Sequence, residues 1–205
     1  MSEDVAIIAA TGHWVERAVI GLNLCPFAKA VERRGQVRYV VSRAKTEDQL
    51  LSHLRVELDH LAKTPADVTD NTLLIHPDVL QEFFAFQSFL PRTEAALRKA
   101  GFEGVFQIAS FHPDFQFADA EPEALGNFTN RAPYPTLHVL REASITAVVS
   151  AFPAAESIYE RNLATLDALG RDGWDKLEIK PAANGSITPA VGIARGNSLD
   201  AKRPP

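Results

Sequence analysis

The chain has 205 residues, about 1.4 typical domains by length alone, with 46% hydrophobic and 23% charged residues. Twenty-one Lys and Arg against 26 Asp and Glu give a net charge of -5, and no basic block is present to bind phosphate non-specifically, so nucleic acid is excluded as a partner. No window approaches the ~20 apolar residues of a membrane helix, and a single cysteine makes neither an internal disulfide nor a cysteine-based zinc cluster.

The N-terminus lacks a basic stretch followed by an apolar core, so a cytoplasmic location without membrane association is expected. Val5, Ile8, Trp14, Val15, Ala18, Val19 and Leu22 recur at helical spacing and predict a helix over residues 5–22. Pro26 suits the first turn of a second, short helix over about 26–34, with Gly35 just past its end. Residues 36–42 (QVRYVVS) are β-branched and aromatic and predict a strand. Thr46 to Gln49 form a capping box. Leu50, Leu51, Leu54, Leu58 and Leu61 follow on one face, and Pro65 ends that helix. Thr72 to Ile75 predict a second strand, closed by Pro77, with Asp78 placed to cap the next helix. Helical spacing resumes at Leu80, Phe83 and Phe84, with a kink or restart at Pro91 and an end at Gly101. Residues 104–110 (GVFQIAS) predict a third strand.

Residues 111–136 have no helical period. A helix capped by Thr136 is expected to run to about Ala151, and a further one to open at Ser157 and stop at Gly170. Residues 181–205 are rich in Pro, Gly, Ala and Ser and predict a disordered tail. The expected organisation is one domain over residues 1–180. Its predicted class is α/β, with a small, mainly parallel sheet of three or four strands covered by helices. A ferredoxin-like α+β arrangement is the rival.

The long loop is chemically dense, and long loops in compact domains are often functional. Phe111, Phe115 and Phe117 alternate with His112, Asp114 and Gln116, so an extended backbone presents those three polar groups on one face. A carboxylate beside an imidazole fixes its tautomer. His112 is therefore the candidate general acid/base, oriented by Asp114. Further on, Arg131 offers a planar fork for carboxylate or phosphate, and Asn130 and Tyr134 are placed to position a substrate. On the expected following helix, His138, Arg141 and Glu142 share a face, making Arg141 a second anion clamp and His138 a binding candidate. His76 directly follows the second predicted strand and His112 follows the third, so parallel strands would bring both to one edge of the sheet. His53 and His60 are expected to face solvent. The convergent expectation is an enzyme acting on a small anionic metabolite, or a non-catalytic protein binding one at the same site.

Cys25 supports a third reading, a thiol nucleophile or redox centre, because a helix N-terminus favours the thiolate. Cys25-Pro26-Phe27-Ala28 is similar to the active-site start of glutaredoxins and of cysteine-type glutathione transferases, although the residues before it have helical rather than strand period, and a buried structural cysteine is the alternative. His76, His112, Asp114, His138 and Cys25 are metal-capable donors without a recognised local spacing, so a metal is left open. Neither a GxGxxG nor a GxxxxGK[ST] phosphate loop is present, nor a GxSxG elbow, so no nucleotide cofactor is implied.

The stretches NLCPFA (Asn23–Ala28), QIASFHPDFQF (Gln107–Phe117) and NFTNRAPYPTLHVLREASI (Asn127–Ile145) together resemble a bacterial family, domain of unknown function 1415, across about residues 10–174. The resemblance implies a cytosolic bacterial protein and carries no assigned reaction. Phe115 and Ala132 stand where the family pattern leads one to expect Tyr and Ser.

Overall fold

A computed structural model describes residues 2–151 and 157–182. The expected disordered tail lies, apart from Pro181 and Ala182, outside the described residues. Helix α1 (Glu3–Trp14) continues as a π-helical segment over Val15–Ile20. Ser2 caps it, its hydroxyl accepting the Val5 N–H, and Glu3 and Asp4 occupy the first turn where the helix dipole favours them. Helix α2 (Ala28–Arg33) is short, and Gly35 takes the left-handed conformation (φ 67°) that ends it. Strand β1 (Val37–Val41) leads to α3 (Glu47–Lys63), β2 (Asn71–Ile75), α4 (Phe83–Lys99) and β3 (Phe106–Phe111). A 3-10 turn over Leu125–Thr129 interrupts the long loop. Strand β4 (Thr136–Arg141), α5 (Glu142–Ala151) and α6 (Ile158–Asp175) complete the elements of the described residues.

The caps show why these segments fold locally. Thr46 Oγ1 accepts the Gln49 N–H, and Gln49 Oε1 accepts the Lys45 N–H, so the first turn of α3 is satisfied by its own side chains. Helix α4 is capped by Glu82, whose carboxylate accepts from Phe84 and Ala85, and not by Asp78 as the sequence suggested. It runs through Pro91 as one helix. Helix α6 passes Gly170 with a kink (φ 67°) and continues to Asp175.

The strand order is β1-β2-β4-β3. Only β1 and β2 pair in parallel, while β4 is antiparallel to both β2 and β3. The fold is α/β as expected, but the sheet is mostly antiparallel. The reason is β4. Its residues, read from sequence as the first turns of a helix, form a strand because the gap between β2 and β3 offers backbone partners on both sides. Leu137 and Val139 are fully buried there. Since β2 and β3 both oppose β4, they point the same way, and their carboxyl ends share one edge.

Both faces of the sheet are covered. On one, Val40, Leu74, Leu137 and Val139 meet Leu50, Leu54, Leu58 and Leu61 of α3 and Phe86 and Phe89 of α4. On the other, Tyr39, Val41, Leu73 and Ile75 meet Ile7 and Trp14 of α1, with Phe128 and Trp174 beyond. The strand period of two sorts these side chains, which is why adjacent residues serve different cores. Within the first core, Glu57 is fully buried and is held by Arg38 through Nε (2.8 Å) and Nη2 (3.3 Å). Among the described residues, no helix is long and apolar enough to cross a membrane.

Candidate functional site

Two His-Pro-Asp tripeptides, His76-Pro77-Asp78 and His112-Pro113-Asp114, leave the carboxyl ends of β2 and β3 at the same edge of the sheet, on either side of β4. Both histidines are fully buried. His112 Nδ1 accepts the backbone N–H of Asp114 (3.0 Å), so Nε2 carries the ring proton and donates to the Leu80 carbonyl (3.3 Å). His76 Nδ1 donates to the Val79 carbonyl (3.0 Å), and its Nε2 has no partner among the described residues. The two rings thus hold consecutive carbonyls of the loop between β2 and α4. Leu80 there adopts a positive φ of 57°, a conformation that costs a non-glycine residue about 1–3 kcal/mol and persists only where the surroundings hold it. Phe86 packs against both rings, with centroids 5.4 Å from each and nearly stacked on His112.

Burial dominates the electrostatics of this pair. It lowers the His76 pKa to about 4 and lowers that of His112, against the opposing pull of Asp114 and the backbone carbonyls. The expected carboxylate–imidazole contact is not made: His112 is oriented by the Asp114 backbone, and the Asp114 side chain is exposed.

The two aspartates diverge. Asp78 binds Lys45 Nζ (2.9 Å) and Arg43 Nη1 (3.5 Å), and Arg43 also binds Glu3 (3.1 Å) and Asp4 (2.5 Å), tying α1 to the strand ends. Asp114 instead lines a cavity of about 640 Å³ together with Gln116, Arg131, Arg171, Phe83 and Phe84. Arg131 is half-buried and donates from Nε to the Phe115 carbonyl (3.2 Å) and from Nη2 to the Pro122 carbonyl (2.7 Å). Its guanidinium lies 4.4 Å from the Phe128 ring centroid. No carboxylate pairs with it among the described residues, and burial pulls its pKa below the usual arginine range. Arg171 is committed to Glu123 (2.9 Å) and Asp175 (3.6 Å). Glu82, also at the cavity, is committed to the first turn of α4, whose N–H groups hold its carboxyl below the ordinary range. Gln116 Nε2 donates to Ala120 (2.7 Å).

The remaining candidates lie elsewhere. Asn130 covers the outer edge of β3, its Nδ2 donating to Ser110 and its carbonyl accepting the His112 N–H. The Tyr134 hydroxyl accepts the Ala182 N–H (2.7 Å). His138 sits within β4 with Nε2 3.0 Å from Asn71 Oδ1, not on a helix face, and burial lowers its pKa to about 4. Arg141 is at the far end of β4, where its guanidinium donates to the carbonyls of Leu61, Thr64 and Thr69 and closes the C-terminal end of α3. It does not converge with Arg131, because the strand conformation of residues 136–141 carries it to the opposite edge of the sheet. Replacing Arg141 by alanine is expected to destabilise the fold by about 2–3 kcal/mol, the scale of charged hydrogen bonds left unmade. Urea unfolding measures this.

Cys25 lies before α2, which opens at Ala28 and not at Pro26. The thiol accepts from the backbone of Phe27 and Ala28, yet burial outweighs them and raises its pKa, opposite to an activated thiolate. His53 is not turned wholly to solvent: its Nδ1 lies 2.7 Å from the hydroxyl of buried Ser42. Among the described residues, no three His, Cys, Asp or Glu side chains converge for a metal ion. Sequence reasoning missed Arg171, Glu82 and Phe84. Each lies outside the long loop and reaches the cavity only through the packing of α4 and α6.

The fold and this cavity define a mixed-sheet α/β domain with its candidate site beside the carboxyl end of β3. The chain belongs to the family described as "Protein of unknown function (DUF1415)", which matches residues 6–176. No curated protein and no solved structure matches it. Phe115 joins a row of rings with Phe83 (5.4 Å) and Phe117 (4.9 Å), and Ala132 is buried.

Proposed function

We propose that the protein binds a small organic anion, a carboxylate or phosphate, in the cavity at the end of β3, with Arg131 as the recognising charge. One observation carries this reading: Arg131 is a half-buried cation whose only protein partners, among the described residues, are two carbonyls and an aromatic ring. Carbonyls fix the fork without neutralising it, so its charge is available to a bidentate acceptor. Nη1, which makes no hydrogen bond among the described residues, is the natural donor toward a ligand. His112 acts here as a positioning residue. Its two nitrogens are used by the backbone, and it holds the loop that carries Gln81 and Glu82 to the cavity wall.

The test is thermal unfolding with inorganic phosphate, acetate and 3-phenylpropionate, for the wild type and Arg131→Gln. An anion at a hundredfold excess over its Kd stabilises by about 2.7 kcal/mol, roughly 5–10 °C for a chain of this size. That gain is expected in the wild type and absent in the variant. Equal gains in both, or no gain with any of the three anions, would refute the reading.

A further inference from the structure

Among the described residues, the internal ion pairs leave one anion and one cation at the cavity unspent. Glu123 is taken by Arg171 and Glu82 by the N–H groups of α4. Asp114 carries a carboxylate with no hydrogen bond or ion pair among the described residues, and Arg131 carries a guanidinium with no carboxylate. The two share the cavity and feel each other's charge without meeting in an ion pair. A purely anionic ligand would gain from Arg131 but suffer the field of Asp114. A ligand with an ammonium group beside its carboxylate gains from both. The third feature is Phe84, which is 66% exposed on the same rim, above buried Phe83. A large ring that exposed forgoes burial unless something apolar covers it.

We infer that the ligand is a zwitterion with an apolar body, of the α-amino acid class, whose carboxylate meets Arg131, whose ammonium meets Asp114 and whose side chain lies on Phe84. This rests on the anion-binding reading above and narrows it. Asp114 is exposed, so its contribution is held to the scale of a solvated ion pair, up to about 1 kcal/mol, or roughly fivefold in affinity.

The experiment compares L-phenylalanine, 3-phenylpropionate and phenethylamine by calorimetric titration. These probes share the ring and differ in charge. Phenylalanine is expected to bind about fivefold more tightly than 3-phenylpropionate in the wild type. Asp114→Asn should bring the two to parity, Arg131→Gln should abolish both, and Phe84→Ala should weaken both alike. Equal binding of the two acids in the wild type, both lost in Arg131→Gln, overturns the zwitterion and leaves the anion reading intact. Binding of neither acid, or of phenethylamine alone, overturns both. The Asp114 and Phe84 side chains are exposed, so these variants are expected to fold, and their thermal unfolding verifies it.

Discussion

Acidification from pH 7 to pH 4 is expected to remove about 3 kcal/mol of stability through His76 alone. Burial holds its ring neutral in the fold down to about pH 4, whereas the unfolded chain takes up the proton near pH 6.5. Between those values the unfolded chain binds more protons, so stability falls as pH falls. The loss begins below about pH 6.5 and is complete below the folded pKa. The size follows from about 1.4 kcal/mol per pKa unit. His138, whose pKa burial lowers in the same direction, adds a loss of the same sign. Against a total stability of about 5–15 kcal/mol, the two make the protein acid-labile well above the range in which carboxylates titrate. Urea unfolding at pH 7 and pH 4.5 measures the slope. His76→Gln should flatten it while lowering stability at pH 7. An unchanged slope in that variant would show that His76 is not the group responsible.

Phe86→Ala should be as costly, about 3–5 kcal/mol, the range for deleting a buried aromatic ring. Phe86 is fully buried and contacts both histidine rings. Its loss therefore opens a void beside His76 and His112 together, and the carbonyls of Val79 and Leu80 lose the rings that hold them. The effect should extend beyond stability. Ligand affinity at the cavity should fall in the folded variant, because Phe83, Gln81 and Glu82 lie on the adjoining loop and helix. Phe89→Ala removes an equally buried ring from the same helix without touching either histidine. It should cost comparable stability and leave affinity unchanged, which separates general destabilisation from disruption of the loop.

The parts of the fold with local causes were legible in the sequence. Thr46 announced α3 through its hydroxyl, the leucine spacing gave the buried face of that helix, and the β-branched runs gave β1 and β2. β4 was misread, although Leu137 and Val139 alternate with Thr136 and His138 at strand period, because so short a run also fits a helix capped by Thr136. Its conformation is decided by two strands distant in sequence, Thr72–Ile75 and Phe106–Phe111. That error propagated to the site, since the pairing of Arg131 with Arg141 required a helix there. Asp114, Gln116 and Arg131 do share a cavity because the loop that holds them folds back on itself through Arg131 and Asn127, and its polar density was visible. Arg171 and Phe84 were invisible for a different reason: tertiary packing alone brings them there. His112 illustrates a different limit. Its position was found, but whether its nitrogens face a substrate or the backbone depends on a carbonyl more than thirty residues away.

Ligand binding at the end of β3 requires Arg131 to be the charge that meets the ligand. Its Nε–Hε resonance, followed in a nitrogen-15-labelled sample during titration with 3-phenylpropionate, reports this directly. The expected result is a saturable shift at Arg131 Nε, tracking shifts at the Asp114 and Phe84 amides, with Arg141 Nε unmoved. A saturable shift centred on Arg141 or any other arginine while Arg131 stays fixed would contradict it.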